Sequence, residues 1–537
     1  MPRPRILARA ALTAALSMPL AGAAQGIADT HPPSAAEVVL DGVGGEWDAV
    51  PYAFRADGRQ EEPAPRYARV QAVKVRHDAE AVYVALWLNG PFGLQGMPGT
   101  LSLLLDEDAD PATGWAVHGM RGVDAAIEFS AALGPEGARM GVGLRLMHAE
   151  GRASCVGTAN VAGVMIAPSH ASRWHEVRIP RGEHVAFGRR MVARLVSVDS
   201  AGGVVDRTDV FTVDLADARP RAVPPGHGTA DPLARAPGTE FRVVSWNVGR
   251  EDFFEQPDAF GALLRPLAPD LLMLDEVAGG HSLREVENVL NHVLPGKRSW
   301  RAVYGMSGGS QRGVIATRGS TPRIVAPFTD VLPYPDAARV LVPANAAEDA
   351  RAWLASRMES YVPATGAIAE VAGRRILAVT VDLESGGTAG SAKDRLRDTE
   401  ADAIRDATEA ALVANVRQEA LNGLLIAGDL NLVGTTAPLE RLMHPATDGP
   451  PMAIALPLRL DGASAATWEN PEEPFVPGRL DYVLYHPAFM AATGGFVFRA
   501  ADLSPAWLAR HRLKADASRV TDHLPVVIDL RWVDRPR

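Results

Sequence analysis

Short apolar runs alternating with polar positions fill the first two hundred residues. Runs at 70–75, 81–88, 101–105, 125–129 and 174–179 are parted by turns rich in Gly, Pro and Asp. That spacing predicts an all-β sandwich domain over residues 31–218. Periodicity then lapses. Between Asp217 and Glu240, Pro220, Pro224, Pro225, Pro232 and Pro237 accompany Gly226, Gly228 and Gly238, the composition of an extended linker at 219–239. From 240 to 537 strand-like runs alternate with longer amphipathic segments, which predicts an α/β domain. Its strands fall at 241–247, 269–277, 375–382, 424–427, 480–484 and 526–530. A helical stretch ends near Leu267. Ser282 and Glu285 form a capping-box signature, with Leu283, Val286, Leu290 and Val293 at helical spacing behind it. A long charged helix is expected at 393–417, buried through Leu396, Ile404, Leu412 and Val416.

Composition narrows the setting. A chain of 537 residues exceeds one core, and 47 % apolar with 22 % charged residues is ordinary for a globular protein. A formal net charge of −10 gives no long-range attraction for nucleic acid or anionic membrane, so a phosphate-bearing substrate would have to be held locally. At the N-terminus Arg3, Arg5 and Arg9 precede an apolar run at 10–21 and the small residues Ala21-Gly22-Ala23. Residues 1–23 therefore read as a signal peptide, and the mature protein as secreted or periplasmic with no transmembrane segment. Cys155 is the only cysteine, so no internal disulfide forms.

Candidate chemistry lies at the strand ends of the second domain. Asn247 closes the first strand, Asp275 and Glu276 the second, and Asp382 the third. The run at 424–427 stops at Gly428 and delivers Asp429 and Asn431, two residues apart and so on one face. Asp481 lies at the start of the fifth strand, and Asp522-His523 precedes the sixth. A strand followed by an Asp/Asn turn explains any one of these. Acid/base or metal-binding groups on six strands argue for one convergent site. Carboxylates without Cys suit a hard cation, Mg²⁺ or Mn²⁺. In the first domain, the loop from Asp106 through Glu107, Asp108 and Asp110 to Gly114 places oxygens at alternate positions. It reads equally as a Ca²⁺ loop or a solvated acidic turn. It is not an EF-hand, because Pro111 stands where that loop needs Gly and Val117 where it needs Glu.

Two resemblances follow. Asp41-Gly42, Glu46-Trp47, Ala81-Val82-Tyr83-Val84, the acidic loop ending in Thr113-Gly114, and Gly122-Val123-Asp124 resemble the carbohydrate-binding family 9-like sandwich domains, over residues 36–215. This implies contact with sugar or surface glycan, with Trp47, Trp87 or Trp115 as candidate platforms where they are not buried. In the second domain, Ser245-Trp246-Asn247, Glu276 of Asp275-Glu276-Val277, Gly428-Asp429-Leu430-Asn431, Asp481-Tyr482-Val483-Leu484 and Thr521-Asp522-His523-Leu524-Pro525 resemble the ordered motifs of the endonuclease/exonuclease/phosphatase superfamily, over residues 240–533. That group includes pancreatic-type deoxyribonucleases, abasic-site endonucleases, bacterial sphingomyelinases and inositol polyphosphate 5-phosphatases. It implies a four-layer α/β sandwich, two mixed sheets flanked by helices, acting on a phosphate ester.

The resemblance also implies roles. Glu276 would hold the divalent metal, Asp522 would be the second carboxylate near it, and Asn247 would fix metal ligand or phosphate. Asp429 would orient and deprotonate water, with Asn431 helping and donating to a phosphoryl oxygen. His523 would donate to a non-bridging oxygen while Asp481 holds its other ring nitrogen. Three positions depart from the pattern. Thr521 replaces the usual Ser, and Asp275 a common Gln, which would add negative charge beside Glu276. In Thr380-Val381-Asp382-Leu383, Asp382 replaces the usual His or Tyr. Asp382 is then an acid of raised pKa, a ligand of a second cation, or a bystander to a step left to water on the metal. The segment 336–361 reads as an insertion able to shape the substrate cleft. The sequence thus favours a secreted metal-dependent phosphodiesterase acting on nucleic acid, a phospholipid head group or a phosphorylated sugar. The competing reading is a glycan- or surface-binding protein on a catalytically inactive phosphoesterase fold, with Asp382 as its support.

Overall fold

The computed structural model describes residues 37–57, 65–134, 137–147, 153–182, 184–415, 419–444 and 451–533. The leader expected at 1–23 and the helix positions Val416 and Arg417 lie outside these residues.

The alternating runs of the first half form two facing antiparallel sheets. One orders Tyr52–Arg55, Val70–His77, Ala81–Phe92, Ser172–Pro180 and Met165–Ala167. The other orders Val204–Arg207, Arg190–Val198, Thr100–Asp106, Ala125–Phe129, Val142–Met147 and Ala153–Thr158, with Phe211–Asp214 beside Arg190–Val198. Val84, Leu86, Leu103, Leu105, Ile127 and Val177 fill the space between, joined by Val476 from the second half of the chain. Trp47 is 1 % exposed and gives its indole N–H to Glu176 at 2.8 Å, so burial removes it as a sugar platform. Trp115 is half-buried, and Trp87 stays 42 % exposed.

The second half is a four-layer α/β sandwich. Its first sheet runs in the order Trp300–Tyr304, Gln311–Arg318, Leu271–Ala278, Phe241–Arg250, Val526–Trp532 and Met490–Val497. Its second runs Arg323–Ile324, Ala364–Val371, Arg374–Asp382, Leu424–Asp429, Asp481–Tyr485 and Ala453–Ala455. Each is mixed, with one parallel pair at its centre: Phe241–Arg250 beside Leu271–Ala278, and Arg374–Asp382 beside Leu424–Asp429. Val243, Met273, Ile315 and Ile528 of one sheet meet Ala378, Leu425, Ala427 and Val483 of the other in a shared core. Strands buried on both faces read as near-continuous apolar runs, which is why these were legible.

Helices close the outer faces. Pro257–Leu267 and Leu283–Val293 cover the first sheet, and Ala392–Asn415 and Ala437–Met443 the second. The capping box at Ser282 and Glu285 is formed, which satisfies two orphan backbone donors at that helix start. Leu396 and Ile404 are buried as expected and Leu412 partly so, whereas Leu283 is exposed. The proline-rich segment at 219–239 is strapped to the second half. Arg242, fully buried, pairs with Asp529 at 2.7 Å and donates to the carbonyls of Leu233 and Ala234.

The sandwich docks on loops that lead into the second half's strand ends. Ser169 Oγ lies 2.8 Å from the Arg479 carbonyl and 3.1 Å from that of Leu432, and the Ala171 amide donates to the Gly434 carbonyl at 2.7 Å. Leu40 exchanges backbone bonds with Ala463 and Ala465, and the Val142 amide donates to the Pro474 carbonyl.

Candidate active site

Strand register sets the site. Asp382 is the register partner of Asp429 across the parallel pair, and Asp429 is the partner of Asp481 across the antiparallel pair. Three carboxylates therefore stand side by side on adjacent strands of the second sheet. Like charges in that position oppose each other, so the row is a cost to the fold that calls for another role. Gly428 makes the alignment possible. Its φ is +140°, and a Cβ there would lie 1.9 Å from the Val381 carbonyl oxygen, so no other residue fits.

The first sheet contributes from across the sandwich. Asn247 Nδ2 lies 3.5 Å from Asp429 Oδ2, and Asn247 Oδ1 accepts the Gly249 amide. His523 Nδ1 lies 2.9 Å from Asp481 Oδ2, and its Nε2 faces Asp429 Oδ2 at 3.6 Å. The backbone of His523 is fixed by the Trp246 indole, which donates to its carbonyl at 3.0 Å. Asn431, with φ of 48°, donates its amide hydrogens to Asp429 Oδ2 and the Leu383 carbonyl, both at 2.9 Å. The phosphoryl contact expected of Asn431 would cost it one of those bonds, so in this geometry it is a clamp on Asp429. Glu276, also at positive φ (50°), is the least buried carboxylate of the group and pairs with Arg250 at 3.5 Å.

Glu276 and Asp382 line a cavity of about 70 Å³ together with Arg250, Tyr334, Arg357 and Tyr361. The segment expected to be an insertion forms one wall through its helix Glu348–Ser360. There Glu384 is held by Arg357 at 2.5 Å and Lys393 at 3.0 Å, and Glu400 accepts the Tyr334 hydroxyl at 2.6 Å.

Electrostatics single out the same groups. Burial, then the carboxylates of Glu276 and Asp429, push Asp382 well above the usual carboxylate range. Burial, then Asp481, raise Asp429, against the opposing charge of His523. Burial alone would lower His523, but Asp481 and Asp429 outweigh it and hold the imidazolium well above its ordinary value. Asp275 is 1 % exposed, with neither carboxylate oxygen hydrogen-bonded, and burial followed by Asp481 and Asp429 drives its pKa far up. The negative charge expected of Asp275 beside Glu276 is therefore opposed by its own burial. Burial thus favours the neutral form of this acid, at a position where the superfamily commonly has a neutral amide.

Asn247, Asp275, Glu276, Asp382, Asp429, Asn431, Asp481, Asp522 and His523 fall in or beside this site. Asp522 stands slightly apart: its Oδ2 accepts the Trp468 indole at 3.0 Å, and its charge helps to raise His523. Trp468 and the cavity residues Arg357, Tyr334 and Glu400 went unread. Arg250 ends the same strand as Asn247 and carries the same strand-end signal. The donor set of carboxylates, amides and imidazole, with an orphaned buried oxygen on Asp481 and the open Glu276, fits a hard divalent cation.

Two facing mixed sheets, carrying carboxylates, an amide and a His–Asp pair at one end, define a hydrolase-type α/β sandwich. The chain belongs to the Endonuclease/Exonuclease/phosphatase family, whose model matches residues 244–523. No curated protein matches it. Similar solved structures include the human nocturnin catalytic domain with bound sulfate, 14 % identical over 55 % of this chain and 94 % of that one, TM-score 0.34. Another is D. rerio TDP2 complexed with a single-strand DNA product, 15 % identical over 54 % and 98 %, TM-score 0.32. A third is beta toxin from Staphylococcus aureus, 14 % identical over 54 % and 99 %, TM-score 0.33.

Proposed function

We propose that the protein is an exported, metal-dependent phosphoesterase that hydrolyses a phosphodiester by attack of water. The observation carrying this reading is the convergence, across two sheets, of the Asp429–Asn431 clamp and the His523–Asp481 pair on one point. Asp429, its basicity raised by burial, takes the proton from water, while Asn431 and Asn247 fix its carboxylate. His523 carries its proton on Nε2 toward a phosphoryl oxygen, and Asp481 both sets the ring orientation and stabilises the cation. Asp382, raised by burial, serves as a protonated donor in place of the usual His or Tyr. Glu276 would hold Mg²⁺ or Mn²⁺, with Asp522 and Asn247 nearby, and the ion when bound supplies positive charge against the phosphate. Export rests on Arg3, Arg5 and Arg9 ahead of the apolar run at 10–21. A glycan contact of the first domain rests on Trp87, the exposed member of the candidate platform.

The test is a substrate panel of bis(p-nitrophenyl) phosphate, plasmid DNA, sphingomyelin and a sugar phosphate, each with Mg²⁺, Mn²⁺, Ca²⁺ or EDTA. Turnover of at least one, abolished by EDTA, supports the reading. Failure on all four under every metal leaves the binding-protein alternative.

A further inference from the structure

The acidic loop of the sandwich shares no residue with the chemistry above, and its geometry is that of a cradle. Asp106 ends the strand Thr100–Asp106, Asp108 follows in the loop, and Asp124 precedes the strand Ala125–Phe129. One carboxylate oxygen from each lies within 4.8 Å of the others, the spread that two metal–oxygen bonds of about 2.4 Å allow. No salt bridge to Lys or Arg is formed by any of the three among the described residues, although three like charges this close repel strongly.

Two further features point to a ligand. Asp106 is 2 % exposed and its Oδ1 has no hydrogen-bond partner, so a buried carboxylate is left unsatisfied at the floor of the cluster. Gly122 faces the same point. A Cβ at that residue would stand 2.6 Å from Asp106 Oδ2 and 2.8 Å from the Asp110 carbonyl oxygen, so any side chain would fill the space between carboxylate and carbonyl. Gly114 repeats the arrangement on the other side, where a Cβ would meet Asp124 Oδ1 at 2.7 Å.

We infer that Asp106, Asp108, Asp124 and the Asp110 carbonyl form a Ca²⁺ site that joins two strands at one end of the sandwich. All-oxygen ligands drawn from carboxylates and a loop carbonyl match the loose coordination of Ca²⁺. Mg²⁺ demands shorter bonds and strict octahedral geometry. The Asp106, Asp108 and Asp124 carboxylates repel one another, and a cation between the three removes that repulsion. The site is separate from the candidate active site, and its test does not depend on the phosphoesterase reading.

The experiment uses the full chain and Tb³⁺ luminescence excited through tryptophan, because Trp115 is in register with Val123, the residue before Asp124. Sensitised emission displaced by Ca²⁺ but not by equal Mg²⁺, and a Ca²⁺-dependent rise in unfolding temperature, are expected. Asp108→Asn, at an exposed position that tolerates change, should weaken apparent Ca²⁺ affinity at least about tenfold, while Glu276→Gln leaves it intact. Circular dichroism checks that Asp108→Asn is folded. Neither signal in the wild type, or signals unchanged by Asp108→Asn, overturns the site. Stabilisation by acidification without any Ca²⁺ effect also overturns it, in favour of a proton shared between carboxyls.

Discussion

His523 Nδ1 and Asp481 Oδ2 stand 2.9 Å apart inside the protein, with the ring's Nε2 turned toward Asp429. The pair favours the charged form of His523: burial lowers its proton affinity, but the Asp481 and Asp429 carboxylates more than reverse that. Because the folded pKa is raised, the charged form persists to higher pH than in a free imidazole and is lost as pH rises through the raised value. Asp481→Asn removes the main opposing charge. It should lower kcat/KM by about 10²–10⁴ and move the alkaline limb of the pH–rate profile to lower pH. An unshifted limb would contradict the pairing.

Asp382 tests the departure from the family's pattern. If it donates a proton, Asp382→Ala should lower kcat by about 10² or more, with the greater loss on substrates whose leaving group is poorly acidic. Asp382→His should recover most of the rate. Equal losses for good and poor leaving groups would assign Asp382 to another role.

Ser169 probes the contact between the halves. Its hydroxyl serves the carbonyls of Leu432 and Arg479, which lie next to Asn431 and two residues before Asp481. Ser169→Ala should cost about 1 kcal/mol of stability and lower kcat with little change in KM, while Ser169→Thr retains both. Thermal unfolding and steady-state kinetics together read this out. Lost stability with unchanged kcat would confine Ser169 to the fold.

Glu46 gives the sandwich a pH dependence of stability. Burial, then Asp41, raise its carboxyl from 4.5 to about 7. A raised carboxyl contributes stability that is full below pH 4.5 and lost as pH climbs through 7. Glu46→Gln keeps the acceptor for the Val39 amide without the charge. The wild type should thus be progressively less stable relative to Glu46→Gln as pH rises from 4.5 to 7.5. A constant difference in unfolding temperature would refute the assignment.

Much of this was legible in the sequence because the apolar runs of buried strands are bounded abruptly by Asn247, Glu276, Asp382, Asp429, Asp481 and His523, and six such ends imply convergence. What the runs cannot carry is side-by-side register, so the row Asp382–Asp429–Asp481 emerged only with the sheet order. The cavity wall was less readable still. The helix Glu348–Ser360 buries only Leu354 and lacks a clear apolar stripe, so nothing local marked Arg357 or its pairing with Glu384. Ser169 escaped for a different reason: its partners are backbone carbonyls, which leave no trace in residue type. Trp47 shows the converse, an aromatic that fits a sugar platform by sequence and a buried hydrogen-bond donor by structure.

The account's central claim is that Asp429 and His523 act as one unit on one phosphoryl group. A double-mutant cycle on hydrolysis of bis(p-nitrophenyl) phosphate with saturating Mg²⁺ or Mn²⁺ measures that directly. Asp429→Ala and His523→Ala should each lower kcat/KM by about 10³ or more, and the double variant should lose little beyond the worse single one. Small losses that simply multiply in the double variant, or activity indifferent to both, would contradict it.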